Sequence, residues 1–233
     1  MRFYCYQSPD EYVREQIRKN QKKLHVVAAS AEELNLIAKK VNAETPNVQF
    51  AICHGVRNGW EVQELRRLLG GVNVIGTDIA PTASQFPHVI QADFHNIREE
   101  WLGNVDFIYS NSWDHSHDPE RAFRNWLRCL KPNGQLFLQW TEDHGEANVD
   151  SADCFGASLP ELKDLIGRLG KLEGDTEIAQ WSLPPRGNVY SGLRRLIKRH
   201  PVKVVHLLTE TGVIFVFLIL RVTSKLPRPR LMI

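Results

Sequence analysis

The segment Ala51-Ile-Cys-His-Gly-Val-Arg-Asn-Gly59 joins an apolar run to a helical one. Asp78 closes a second apolar run roughly twenty residues later. Glycines at 55 and 59 let the backbone turn sharply and approach a ligand, and the start of the following helix presents unpaired amides. A carboxylate at the tip of the next strand can accept both hydroxyls of a ribose. Taken singly, either feature is common, since glycines and aspartates form turns of every kind. Their spacing and order together point to a nucleotide-type cofactor.

Other constellations compete for chemistry. His115-Ser-His117-Asp118 and Glu142-Asp143-His144 contain ligand types for a metal, but a metal site needs three or four convergent donors. No metal is expected from them. His115 reads either as a loop residue or as a substrate contact and general base. Asp114, His117 and His144 are further ionisable candidates, while Trp113 and Trp140 read as pocket walls or as core. A Gly-x-Ser-x-Gly elbow is absent, as is the Gly-x-Gly-x-x-Gly loop of dinucleotide dehydrogenases. Cys5, Cys53, Cys129 and Cys154 form no Cys-x-x-Cys pair, so a reducing, cytoplasmic setting is expected. The apolar run 213–220 is about half of the ~18 residues that suggest a membrane span.

The elements that must position these residues alternate. Ser8 and Pro9 open a helix over 9–23, with Tyr12, Val13 and Ile17 as its apolar side. Ser30-Ala-Glu-Glu33 is a capping box for a second helix. Strands follow at 48–53, 72–77, 88–91, 105–109 and 135–140, with helices at 60–69 and 119–130 and a turn at 131–134. Such alternation implies a parallel sheet covered on both faces. At the end, 204–208 and 213–222 are joined too closely for a parallel return, so they form an antiparallel hairpin. Residues 213–220 are apolar at every position, which suits an interior strand.

In four places the sequence resembles the class I S-adenosylmethionine-dependent methyltransferases with a type 11 core. These are the 51–59 loop, Val74-Ile-Gly-Thr-Asp-Ile-Ala-Pro81, Gln91-Ala-Asp-Phe94, and the stretch from Val105 through Asn111-Ser-Trp-Asp-His-Ser-His-Asp-Pro119 to Leu130-Lys-Pro-Asn-Gly134. The resemblance implies S-adenosyl-L-methionine as cofactor, bound by Gly55, Arg57, Gly59, Asp78, Ile79, Asp93, Phe94 and Asn111. It places Asp78 on the ribose and Asp93 on the adenine amine. It also puts the 213–222 strand between strands five and six. Catalytic candidates are His115, Asp114 and His117. Two departures stand out: Cys53 occupies the place of the family's acid, and Arg57 that of its middle glycine, where it could bond the methionine carboxylate.

The expected fold is therefore α/β, a Rossmann-like doubly wound, mostly parallel seven-stranded sheet with a C-terminal antiparallel hairpin and helices on both faces. One methyltransferase-like domain spans 1–233. Within it, 1–46 is an N-terminal helical extension, 47–142 the cofactor-binding core, 143–203 an acceptor-specificity insertion, and 204–233 the final hairpin and basic tail. From Arg186 onward ten Lys/Arg face one acid, a net of +9 that leaves −7 on residues 1–185 of the whole-chain +2. A basic end on an acidic body suits an anionic partner. The expected reaction is methyl transfer to a small-molecule acceptor, for which an anionic or phosphorylated class is the working expectation. A non-catalytic binding protein and an RNA methyltransferase are the alternatives; nucleic acid is not favoured as a partner, because Asn111-Ser-Trp-Asp114 is not an Asn/Asp-Pro-Pro-aromatic tetrapeptide.

Overall fold

A computed structural model of the chain describes residues 1–45, 47–173, 175–183 and 215–223. The first half runs β1 (Arg2–Phe3), α1 (Pro9–Lys22), α2 (Ala31–Glu44), β2 (Phe50–His54), α3 (Trp60–Leu68), β3 (Asn73–Asp78) and β4 (Val89–Gln91). The second half runs β5 (Val105–Ser110), α4 (Pro119–Cys129), β6 (Leu130–Trp140), β7 (Phe155–Gly156), α5 (Leu159–Glu173), β8 (Asp175–Leu183) and β9 (Phe215–Thr223). Seven strands form one sheet in the order β4-β3-β2-β5-β6-β9-β8, and β1 pairs separately with β7. β2 through β6 are mutually parallel, while β9 runs antiparallel to both of its neighbours.

Strand pleating sends alternate residues to opposite faces. Ala51, Cys53, Phe107, Tyr109 and Phe137 join Leu34, Ile37, Val62 and Leu65 of α2 and α3 in one core. Ile52, Ile108, Leu136 and Leu138 join Phe123 and Trp126 of α4 and Leu162 and Leu165 of α5 in the other. Each such fully buried side chain contributes about 1.5–3 kcal/mol relative to exposure. Helix entries follow the sequence signals. Ser8 Oγ accepts the Glu11 amide at 3.2 Å, and Ser30 and Glu33 cap each other reciprocally.

The terminal hairpin is realised with a different partner. β9 lies between β6 and β8, so its neighbour on the outer side is Asp175–Leu183, a strand inside the stretch expected to be an insertion. The expected strand at 204–208 lies outside the described residues. The last parallel strand also starts earlier than expected: β6 begins at Leu130 and runs through the 131–134 turn, with a shift of register opposite Val105 and Phe107. Lys131 Nζ is anchored there on Asp106 at 2.8 Å.

α1 also corrects its expected orientation. Its buried positions are Tyr12, Gln16 and Asn20, a polar stripe, while Val13 and Ile17 are only half-buried. The strand order reverses between β2 and β5, so their carboxyl ends open a crevice where open α/β sheets bind ligands.

Candidate active site

The loop after β2 is wound tightly against its neighbours. Gly55 has φ +75°, and a Cβ there would stand 2.6 Å from Ser112 Cβ, so only glycine lets the loops after β2 and β5 meet. Gly55 donates its amide to Thr77 O at 2.8 Å and receives the Ser112 hydroxyl on its carbonyl at 3.0 Å. Arg57 adopts φ +48°, a left-handed conformation that the usual glycine would hold without strain. Its amide donates to Asp78 Oδ2 at 2.8 Å, while its guanidinium reaches Val26 O at 3.1 Å. Asn58 binds Leu24 O, so the loop clasps the chain that leaves α1.

One pocket opens over this loop. Gly55, Arg57, Asp78, Ile79, Asp93, Phe94 and His115 line it together with Ser112 and five residues of the α1 region, Tyr12, Gln16, Lys19, Asn20 and Lys23. Asp78 ends β3 and accepts Asn20 Nδ2 and the Ala80 amide on Oδ1 in addition to Arg57 on Oδ2. Burial raises its carboxyl above the ordinary range, and those amides and the Arg57 charge oppose the shift. Asp93 follows β4. Burial pushes it up, but the His95 hydrogen bond and charge prevail and hold it low. His95 Nδ1 meets Asp93 Oδ1 at 2.6 Å and its Nε2 meets Ser116 Oγ at 2.7 Å, locking the loop after β4 to the loop after β5.

His115 lines the same pocket. Its Nδ1 faces Gln16 Oε1 at 3.0 Å, and because that oxygen only accepts, Nδ1 carries the proton. Nε2 lies 3.5 Å from Asp153 Oδ1 and 3.9 Å from Asp114 Oδ1. Asp114 is buried, and burial raises its carboxyl to about 7 against the opposing charge of His115.

Several expected site residues lie elsewhere. Gly59 caps α3 at φ +72° and packs on Val89, and does not line the pocket. Asn111 turns its amide toward Glu61 at 3.4 Å, behind the loop. His117 is sandwiched between Tyr12 and His95, with ring centroids 4.3 and 4.2 Å away, and burial depresses its basicity. His144 accepts the Thr141 amide on Nδ1 at 2.8 Å and stacks on Trp113. Trp113 and Trp140 are core, each giving its indole N–H to a backbone carbonyl. Cys53 is wholly buried in the core under α2 and α3, and burial raises its thiol well above the usual range.

Residues 52–138 match the family model described as "Methyltransferase domain". That match covers the sheet strands and loops that line the pocket, so the core is similar to this family's. Solved structures agree on the fold. A Burkholderia thailandensis 1,6-didemethyltoxoflavin-N1-methyltransferase superposes with TM-score 0.62 at 13% identity, covering 95% of this chain and 93% of that one. Phosphoethanolamine N-methyltransferase 2 of Haemonchus contortus gives 0.56 at 14%, covering 82% and 52%. The cyclase SpnF gives 0.59 at 12%, covering 92% and 95%. No curated protein sequence matches this chain. Likeness at these identities is one of fold, which carries many chemistries.

Proposed function

We propose that the pocket binds S-adenosyl-L-methionine and that the protein transfers its methyl group to a small-molecule acceptor entering beside His115. The observation that supports this most is the gathering of Asp78, Asp93 and the Gly55 turn around one pocket at the carboxyl ends of adjacent parallel strands. The donor set fits the cofactor. Asp78 and Asp93 offer carboxylate oxygens to hydroxyls and an amine, Phe94 an apolar face, and Lys19 and Lys23 positive charge for a carboxylate. Two Haemonchus contortus and Burkholderia thailandensis relatives in fold were solved with S-adenosylhomocysteine.

Bound there, the cofactor supplies an electrophilic methyl group on a sulfonium. The chain's work is to position and shield. Asp93 is held by His95, and Asp78 by Arg57 and Ala80, so neither carboxylate needs to reorganise on binding. Asn20 occupies part of Asp78 Oδ1, and α1 covers the pocket, excluding water from the reacting atoms. His115 is held by Gln16 through Nδ1 and turns Nε2 away from that contact, at the wall where the second substrate enters. An anionic acceptor is supported by Lys19 and Lys23; the basic residues 186–203 and 224–230 lie outside the described residues. Free thiols at Cys53, Cys129 and Cys154 support a reducing compartment.

An acceptor screen on the purified chain, following conversion of methyl-labelled cofactor, tests the reaction. Transfer to a small molecule is expected. Cofactor binding with no transfer to any acceptor class points to a binding protein, and transfer only to RNA points to the nucleic-acid alternative.

A further inference from the structure

We propose that Asp114, His115 and Asp153 form a binding site for one divalent transition-metal ion, such as Mn2+, at the pocket wall. Three donor atoms, one from each residue, lie within 4.8 Å of one another. The spacings of 3.5 and 3.9 Å from His115 Nε2 are those of ligands around a shared ion. Metal–ligand bonds of about 2.0–2.2 Å place donor atoms roughly 3–4 Å apart. One imidazole nitrogen and two carboxylate oxygens suit Mn2+ and its neighbours better than a soft ion.

An observation independent of the cluster points to a ligand. Asp114 is 5% exposed, yet Oδ1, the oxygen facing His115 Nε2, has no hydrogen-bond partner. A buried carboxylate oxygen with no donor costs several kcal/mol unless a cation or proton meets it. Its surroundings place no hydrogen-bond donor on Oδ1: His115 Nε2 is 3.9 Å away, beyond hydrogen-bond reach, Lys23 acts only through its field, and Asp153 adds a second negative charge.

The surrounding shell is built for ligation. Metal-bound histidines generally donate their other ring N–H to an oxygen acceptor, which fixes the tautomer and the ring. Gln16 Oε1 takes that role for His115 Nδ1, and Gln16 is itself anchored by donating Nε2 to Ala152 O at 2.8 Å. Asp153 is presented by a tight turn in which Asp150 Oδ1 accepts the amides of Ala152 and Asp153. α1, the loop after β5 and the turn before β7 thus converge on one point. No sequence motif spans it.

Binding itself does not depend on the methyl-transfer reading; only the ion's role does. On that reading, an ion beside His115 favours acceptors that carry an oxygen nucleophile, whose ionisation a divalent cation eases. The test is Mn2+ titration of the full chain, stripped with a chelator and followed by electron paramagnetic resonance. We expect one saturable Mn2+ per chain, with affinity falling more than about tenfold in Asp153→Asn and in Asp114→Asn. Even outer partners of metal ligands are worth about 10–100-fold. Asp153 is partly exposed, so Asp153→Asn decides the matter if the buried Asp114 variant fails to fold. Calorimetry with S-adenosylhomocysteine on Asp153→Asn is expected to match wild type, which separates loss of the ion from loss of the cofactor pocket. Absence of saturable Mn2+ binding, or equal binding in wild type and Asp153→Asn, overturns the proposal.

Discussion

Glu61 shows how one buried group sets a pH dependence. It sits on α3 with Oε2 lacking a partner, and burial raises its carboxyl to about 7 against the nearby Arg57 charge. The folded pKa lies above the ordinary 4.5, so the folded chain holds an extra proton between about pH 4.5 and 7. Stability therefore falls as pH rises through that window, by on the order of 3 kcal/mol. Glu61→Gln removes the ionisation. Denaturant unfolding is expected to show the variant gaining on wild type at pH 8 relative to pH 5; an equal difference at both pH values contradicts the assignment. Gly55 gives a steric counterpart. Gly55→Ala is expected to destabilise by more than about 1 kcal/mol, because left-handed φ and the Ser112 contact both oppose a Cβ. In a Ser112→Gly background the contact is relieved and the conformational strain is not, so thermal unfolding should recover only part of the loss. Full recovery means the backbone conformation carries no cost.

At the scale of elements, β9 tests the topology. Leu218 pairs with Leu138 on one side and Gln180 on the other, so its amide is in a ladder whichever way it points. Leu218→Pro is expected to cost about 3 kcal/mol or more; unchanged denaturant midpoints would place this strand at an edge. Its uniform apolar run, 213–220, announced an interior strand in the sequence. The partner was not legible. Asp-Thr-Glu-Ile-Ala-Gln-Trp-Ser-Leu over β8 mixes polar and apolar residues because β8 ends the described sheet and pairs on one side only. α1 was legible as a helix from Ser8 and Pro9, but not as a wall of the site. Its working face is Tyr12, Gln16 and Asn20, and hydropathy assigns such residues to solvent. Their spacing of four residues was the available signal. Asp78 was legible from its place at the end of a strand, and Asp93 only through the resemblance of Gln91-Ala-Asp-Phe94. Asp153 was not legible, since a turn far along the chain brings it to His115. Gly59 and Asn111 illustrate the reverse: correctly spaced residues whose side of the loop supports it from behind.

At the scale of the whole molecule, one crevice gathers the residues of the candidate site. The strand order reverses between β2 and β5, the carboxyl ends carry the acids, and α1 closes over them. No helix among the described residues is long and apolar enough to cross a membrane. A ligand that binds only the folded chain stabilises it by about 2.7 kcal/mol at a hundred times its Kd, so cofactor should raise the melting temperature measurably. The most direct test of the central claim is calorimetric titration of S-adenosylhomocysteine into wild type and Asp78→Ala, with circular dichroism confirming that the variant is folded. Asp78 lies in the pocket with its carboxylate already oriented by Arg57 and Ala80. Loss of a charged hydrogen-bond partner is worth about 1.5–3 kcal/mol. One site is expected in the wild type, with binding weakened by roughly 10–150-fold in a folded Asp78→Ala. No binding to wild type, or equal affinity in the two proteins, contradicts the claim.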